Sequence, residues 1–403
     1  MTAAELDLTV QGSIAPGYER VADVFTEHLA EMGRGGAALC AYRDGAVVVD
    51  LWAGSARDDL PWQEDTVSAI FSATKGLAAA CIALLHSRGL LDVDAPMAQY
   101  WPGFEANGKA RITVKQALSH TAGLIDIPGH EDFIRPDGTG LDDHVRIRAA
   151  MASATPAWEP GTQHAYHVVP YGYLAGTLVE HVSGRSLVRF FDDEIGRPLG
   201  LDLRIGAPAD VLPRKSTLLE RDPVPGPVGA ALDALLAAAR DPQTIAGRAS
   251  LAHDGEGFLD NLARKGNSVT MLNAGAGFGD GVGTARDLGR LYANLIDPSP
   301  SPHLPSAAAM ATCTEAQCAG PDLVLGAPSS FAVGFQRNVQ QPDGSLRFGA
   351  SRSTFGHGGA GGQLGFGDPE NGIAVGFLRS HLSLVSPLAQ HLIDALYGAA
   401  GVT

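Results

Sequence analysis

Lysine is nearly missing from this chain. There are five in 403 residues, at positions 75, 109, 115, 215 and 265, and no basic run anywhere. With a formal net charge of −15, such a surface repels phosphate backbones and anionic headgroups, which argues against nucleic acid and against a membrane as partner. Cysteine is sparse too. Cys40 and Cys81 sit in apolar runs and read as buried thiols, while Cys313 and Cys318 are near enough for a local pair that is not expected to form. No apolar run reaches the length of a spanning helix, and Met1 to Asp7 has neither the basic nor the apolar part of a signal peptide. The expectation is a soluble, cytoplasmic protein.

Several catalytic signatures are absent as well. No lysine stands in a phosphate-binding G-x-x-x-x-G-K-[ST] loop, and no G-x-S-x-G elbow of an ordinary α/β-hydrolase occurs. His130-Glu131 lacks the second histidine of a zinc helix, since Ile134 stands there, and His164-x-x-His167 has no evident third ligand. Residues 356–361 match G-x-G-x-x-G but continue as a strand, where a dinucleotide motif must open a helix. Neither a metal nor a cofactor is expected.

What is present is a globular composition, 45% hydrophobic and 18% charged, with 50 glycines for turns and close backbone approaches. Val21, Val24, Phe25, Leu29 and Met32 have helical spacing over 17–32. Residues 36–42 and 46–52 flank Asp44-Gly45, a strong hairpin signal. Residues 72–86 read as a buried helix. Helical patterns follow at 114–118, 141–152, 171–182, 187–194, 228–239 and 286–295, whereas 201–221 and 240–270 give no clear pattern. Strands are expected at 331–337, 346–348, 362–366 and 372–378. A closing helix is expected at 387–397, with Ser386 as its N-cap. This layout predicts an α+β protein: an antiparallel sheet built from 1–93 and 321–403, flanked by helices, with a mainly helical insertion at 94–320.

Three stretches can carry chemistry. Ser72-Ala73-Thr74-Lys75 puts a hydroxyl and an amine on one helix face, the arrangement that activates a weak nucleophile. Twenty-three serines and five lysines would give about 0.3 such pairs by chance, so the motif needs its context. Tyr166 follows Trp158-Glu159-Pro160-Gly161-Thr162 on an irregular stretch, where a phenol could relay protons. Tyr171 and Tyr173, on the next helix, read as packing residues. His357-Gly358-Gly359-Ala360 suits a strand whose N–H groups hold an oxyanion.

These pieces together resemble the serine β-lactamase-like superfamily, and most closely the family VIII carboxylesterases, which are similar to class C β-lactamases. The carrying segments are Phe71-Ser72-Ala73-Thr74-Lys75-Gly76, Leu90-Leu91-Asp92-Val93-Asp94-Ala95-Pro96, Ile112-Thr113-Val114-Lys115-Gln116-Ala117-Leu118-Ser119-His120-Thr121-Ala122-Gly123-Leu124, Trp158-Glu159-Pro160-Gly161-Thr162, Gly283-Thr284-Ala285-Arg286-Asp287-Leu288 and His357-Gly358-Gly359. The resemblance implies Ser72 as the acylated nucleophile, Lys75 as its base or electrostatic partner, and Tyr166 as the tyrosine of a Tyr-x-Asn-type motif. Val168 replaces that motif's asparagine. His357, Gly358 and Gly359 fall at the lactamase Lys-Thr-Gly, and Ala360 is implied as an oxyanion donor. His120 reads as structural; His357 either meets substrate or supports the glycine strand. Because no lysine follows Lys265, the cation that would bind a β-lactam carboxylate is missing. The expected activity is therefore hydrolysis of small carboxylic esters of short acyl chain. An acyltransferase, a β-lactamase or D-peptidase, and a non-catalytic penicillin-recognising relative are the alternatives.

Overall fold

The computed structural model describes residues 9–57, 60–297, 299–342, 344–384 and 388–402. Its main sheet has ten strands: β1 (Gln11–Ile14), β2 (Gly36–Arg43), β3 (Ala46–Arg57), β4 (Leu60–Pro61), β8 (Cys318–Pro321), β9 (Pro328–Phe331), β10 (Gln336–Arg337), β11 (Phe355–Gly359), β12 (Gln363–Asp368) and β13 (Ile373–Arg379). A small second sheet joins β5 (Ser68–Ala69), β7 (Gly281–Gly283) and β6 (Leu203–Ile205). The main sheet runs β1-β3-β2-β13-β12-β11-β10-β9-β8, with β4 on β3, and all its pairings are antiparallel. Its centre therefore joins the two ends of the chain, with Ala37 opposite Arg379 and Arg43 opposite Ile373.

Both faces of that sheet are covered, which is why β2 is buried from Gly36 to Tyr42 rather than alternating. Leu39 and Ala41 point to one side, against Phe25 and Leu29 of helix α1 (Glu19–Met32) and Leu392 and Leu396 of the helix Leu388–Ala399. Ala38, Cys40 and Tyr42 point to the other, into a larger core with Leu288, Leu291 and Tyr292 of the helix Ala285–Ile296. The hairpin turn is as expected: Asp44 and Gly45 both have positive φ (49° and 79°), the conformation a two-residue primed turn requires.

Helix α2 (Thr74–Ser87) is buried nearly all round, as a helix apolar on every face must be. It packs on the helices Pro170–Ser183 and Ala307–Thr314. Its start differs from the sequence reading. Phe71–Ala73 is a tight 3-10 turn, so Ser72 precedes the α-helix and Lys75 lies in its first turn.

Three other expectations are corrected. The strand expected at 331–337 is two strands, because Ala332–Phe335 makes a tight turn with Gly334 at φ 84°. Leu346 forms only an isolated bridge with Gln340, where a strand was expected. The helical pattern at 187–194 runs as Leu187–Phe191 and then opens into a wider turn over Asp192–Gly196. Of the two stretches without a clear pattern, 201–221 holds β6 and 240–270 holds short helices at Ile245–Ala249 and Leu262–Asn267, while the helix expected at 228–239 between them spans Gly226–Arg240. The proposed N-cap Ser386 and the segment Met1 to Asp7 lie outside the described residues. All four cysteines are free.

Candidate active site

Ser72 is set on a strained backbone. Phe71, just before it, has φ 45°, a left-handed conformation that a bulky side chain rarely adopts and that concentrates at functional sites. The surroundings hold it there. Thr74 Oγ1 donates to the Phe71 carbonyl (2.5 Å) and accepts from the Gly281 amide (2.9 Å), while the Ile70 amide donates to the Gly281 carbonyl (3.0 Å). The small sheet thus ties the turn carrying Ser72 to the loop that leads into β7.

Lys75 Nζ lies 3.4 Å from Ser72 Oγ and has no solvent exposure. It donates to the carbonyls of Val168 (2.8 Å) and Phe278. Val168, which replaces the expected asparagine, therefore reaches the amine through its main chain. Burial holds the Lys75 pKa well below the ordinary lysine value, and the Asp280 carboxylate opposes that shift.

Tyr166 stands over this pair, its ring 4.9 Å from Lys75 Nζ and stacked on Phe331 at 5.8 Å. Its hydroxyl is buried and has no hydrogen bond within normal geometry, although Ser72 lies near enough to act on it. Burial raises the phenol pKa above its ordinary value; Ser72 and the Arg347 guanidinium pull it down, and Asp322 pushes it up. Asp322 also fixes the tyrosine in place, since its carboxylate accepts from the Tyr166 amide (3.2 Å), the Val324 amide (2.8 Å) and the Ser329 hydroxyl (2.8 Å).

β11 brings the glycine strand alongside. Its end lies against Ile70: a Cβ added to Gly359 would come within 2.2 Å of the Ile70 carbonyl oxygen. Ala360, the next residue, opens the turn into Gly361 and Gly362, at φ 86° and 102°. The Gly358 amide donates to Gln336 Oε1 (2.9 Å). His357 points inward, fully buried, its ring 5.9 Å from that of Tyr166. Its Nδ1 is 2.7 Å from the Gly358 carbonyl, which assigns the proton to Nδ1 and leaves Nε2 an unpaired acceptor. Burial and the neighbouring Lys75 keep this imidazole neutral, well below the usual histidine range.

The sequence-selected Ser72, Lys75, Tyr166 and His357 thus converge, and Gly358 to Ala360 border them. His120 packs on Phe331 and Tyr166, at φ 63°, with Nδ1 accepting the His167 amide (3.0 Å). Tyr171 and Tyr173 are buried and donate to the carbonyls of Lys75 (3.3 Å) and Leu141 (2.6 Å). Sequence reasoning missed Phe278, Asp280, Asp322 and Arg347. A carboxylate inside Gly275-Ala276-Gly277-Phe278-Gly279-Asp280-Gly281 was the one available signal. Among the described residues, no three His, Cys, Asp or Glu side chains form a metal-ligating group, and no helix is long and apolar enough to cross a membrane.

Comparison with known proteins identifies the family. The profile of the Beta-lactamase family matches residues 21–392. The chain belongs to the Beta-lactamase family. Within that family, the esterase/beta-lactamase LipL of Mycobacterium tuberculosis is 34% identical over 388 residues, covering 94% of this chain and 84% of LipL. A penicillin-binding protein homologue from Caulobacter crescentus superposes with a TM-score of 0.81 at 30% identity, covering 97% of this chain and 99% of the other. A family VIII carboxylesterase superposes with a TM-score of 0.78, also at 30% identity and with the same coverage. The Beta-lactamase-family fold expected from the motifs, helices on a mixed-origin antiparallel sheet, is thus the fold observed.

Proposed function

We propose that the protein is a carboxylesterase that hydrolyses short-acyl esters through an acyl-enzyme on Ser72. The observation that carries this reading is the environment of Lys75 Nζ. A neutral amine has two N–H groups and one lone pair. The Val168 and Phe278 carbonyls use both N–H groups, which leaves the lone pair for the Ser72 hydroxyl. Depression of the Lys75 pKa by burial favours that neutral state, so Ser72 can donate its proton to Nζ as it attacks an ester carbonyl.

Tyr166 has the complementary task. Its raised pKa keeps the phenol protonated, and its hydroxyl has no other partner, so it gives a proton to the departing alcohol and is reprotonated by the Lys75 ammonium that took the Ser72 proton, which restores the neutral amine for the attack of water. The neutral His357, with an unpaired Nε2 nearby, faces the same space. The N–H groups of Ser72 and Ala360 hold the oxyanion, and water then releases the acyl group. Two features support a short acyl chain. Gly279 leaves only a little room beside the nucleophile, since an added Cβ would already touch the Phe71 carbonyl carbon (3.6 Å), the Phe258 ring (3.7 Å) and the Ser72 nitrogen (3.8 Å). Phe258, packed edge-on against Phe278 at 5.5 Å, bounds that room. Esters are favoured over β-lactams by the histidine at 357, where a lactamase would carry lysine. LipL's name joins both activities, so a chromogenic cephalosporin is the second substrate to try.

The test is Ser72→Ala with a short-chain aryl ester. Turnover is expected to vanish, and a fluorophosphonate should leave one adduct, on Ser72, in the wild-type protein. Retained turnover, or an adduct on another residue, would refute the assignment.

A further inference from the structure

Asp280 is a buried carboxylate that the reaction above does not use. It is 1% exposed and sits in the glycine-rich loop ahead of β7. One oxygen accepts the Ala276 amide (2.7 Å), and the other accepts the amides of Gly277 (2.9 Å) and Gly279 (3.3 Å). Burial raises its pKa above the ordinary carboxylate value, and the three N–H donors aimed at it pull back toward the ionised form. The loop closed by these bonds presents the Phe278 carbonyl to Lys75 Nζ.

The loop is fastened at its far side too. The Gly281 amide and carbonyl bond to Thr74 Oγ1 and the Ile70 amide, on the turn that carries Ser72. No side-chain hydrogen bond or ion pair joins Asp280 to a cation among the described residues, yet its charge is the one that acts on Lys75.

We propose that Asp280 is a positioning residue with two linked tasks. Its hydrogen bonds fold the loop so that the Phe278 carbonyl orients the Lys75 amine, and its negative charge sets the pH at which that amine becomes a base. The other groups around Lys75 are Ser72, Tyr166, Tyr171, His120 and His357, with Arg347 and Asp322 acting beyond them on Tyr166. The tyrosines are protonated and the histidines neutral at working pH, since burial raises the former and lowers the latter. Asp280 is therefore the carboxylate that governs the titration of Lys75. A counter-charge favours the protonated amine, so it holds the rise of activity at higher pH than burial alone would. This inference rests on Lys75 being the base for Ser72.

The experiment is the pH dependence of kcat/KM for a short-chain aryl ester in wild type, Asp280→Asn and Asp280→Ser. Both variants remove the charge, and serine is small enough to leave the loop uncrowded. The acidic limb is expected to move to lower pH by about one unit or more, since at an effective dielectric near 20 a unit charge shifts a neighbouring pKa by about one unit at about 12 Å and by more when nearer. A limb that stays in place while activity falls equally at every pH would overturn the proposal, leaving Asp280 a loop brace. Failure of both variants to fold would overturn it likewise. Fluorophosphonate labelling of Ser72 in the wild type separates the two levels: labelling with an unmoved limb defeats only the inference about Asp280, whereas no labelling defeats the esterase reading beneath it.

Discussion

Gly359→Ala offers the sharpest check on how the site is assembled, because Gly358→Ala beside it is a built-in control. A Cβ on Gly359 would stand 2.2 Å from the Ile70 carbonyl oxygen and 2.9 Å from Gln363 Cβ. Neither contact can be relieved by turning a side chain tip, since one is backbone and the other sits next to backbone. An ordinary contact needs about 3.4 Å, so β11 must withdraw from Ile70 by about 1.2 Å. The strand ends at Gly359, just before the proposed oxyanion donor Ala360, and the turn it moves away from bears Ser72. A displacement near 1 Å in a catalytic constellation costs on the order of 10²-fold in rate. Overpacking adds a stability loss of about 1–3 kcal/mol. At Gly358 an added Cβ meets Gln336 Oε1 at 3.7 Å and nothing nearer, so that alanine should leave kcat/KM within a few-fold of wild type. The assay is kcat/KM on a short-chain aryl ester, with thermal melts to confirm folding. Equal loss in both variants, or near-wild-type activity in Gly359→Ala, would refute the assignment of β11 as the fixed wall of the site.

Two further outcomes follow from the same contacts. Tyr166→Phe keeps the stack on Phe331 and removes a buried hydroxyl that bonds to nothing, so stability should hold or rise by about 1 kcal/mol while turnover falls about 10²–10⁴-fold; a variant that loses stability but keeps turnover would contradict the proton-donor role. Acid should destabilise the fold through its neutral histidines. His167 is fully buried with its pKa held down at about 4, so the native state refuses a proton that the unfolded chain takes near 6.5. Stability is then intact above pH 6.5 and falls as pH drops towards 4, by about 3 kcal/mol from this residue alone. Melting temperatures measured from pH 7 to pH 4 test this, and His167→Gln should flatten the slope; an unchanged slope would remove His167 from the cause.

Side chains with strong chemical character were legible in the sequence, and main-chain chemistry was not. Ser72, Lys75, Tyr166 and His357 announced themselves by type and spacing. The carbonyls of Val168 and Phe278 could not, because every residue carries a carbonyl and only the fold aims it. At 168 the missing asparagine looked like a lost function, yet a valine supplies an acceptor there through its backbone. Asp280 escaped notice because its partners are amides of its own loop. In the fold, long patterns such as 17–32 and 286–295 were read nearly to their ends. The break at Gly334 was hidden because apolar residues stand on both sides of it, Phe331-Ala332-Val333 before and Phe335 after. Strands of two or three residues, such as β5 and β6, are too short to show any period.

The pairing of β2 with β13 also sets an order of events. A ribosome making this chain delivers Gly36–Arg43 early and its neighbour Ile373–Arg379 more than 300 residues later. Until then β2 has β3 on one side only, and its other edge is an open, apolar template for any passing strand. At about 5–20 residues per second, that exposure lasts tens of seconds. The strand that completes the middle of the sheet arrives only after that interval, so the hazard of mispairing falls on the nascent chain.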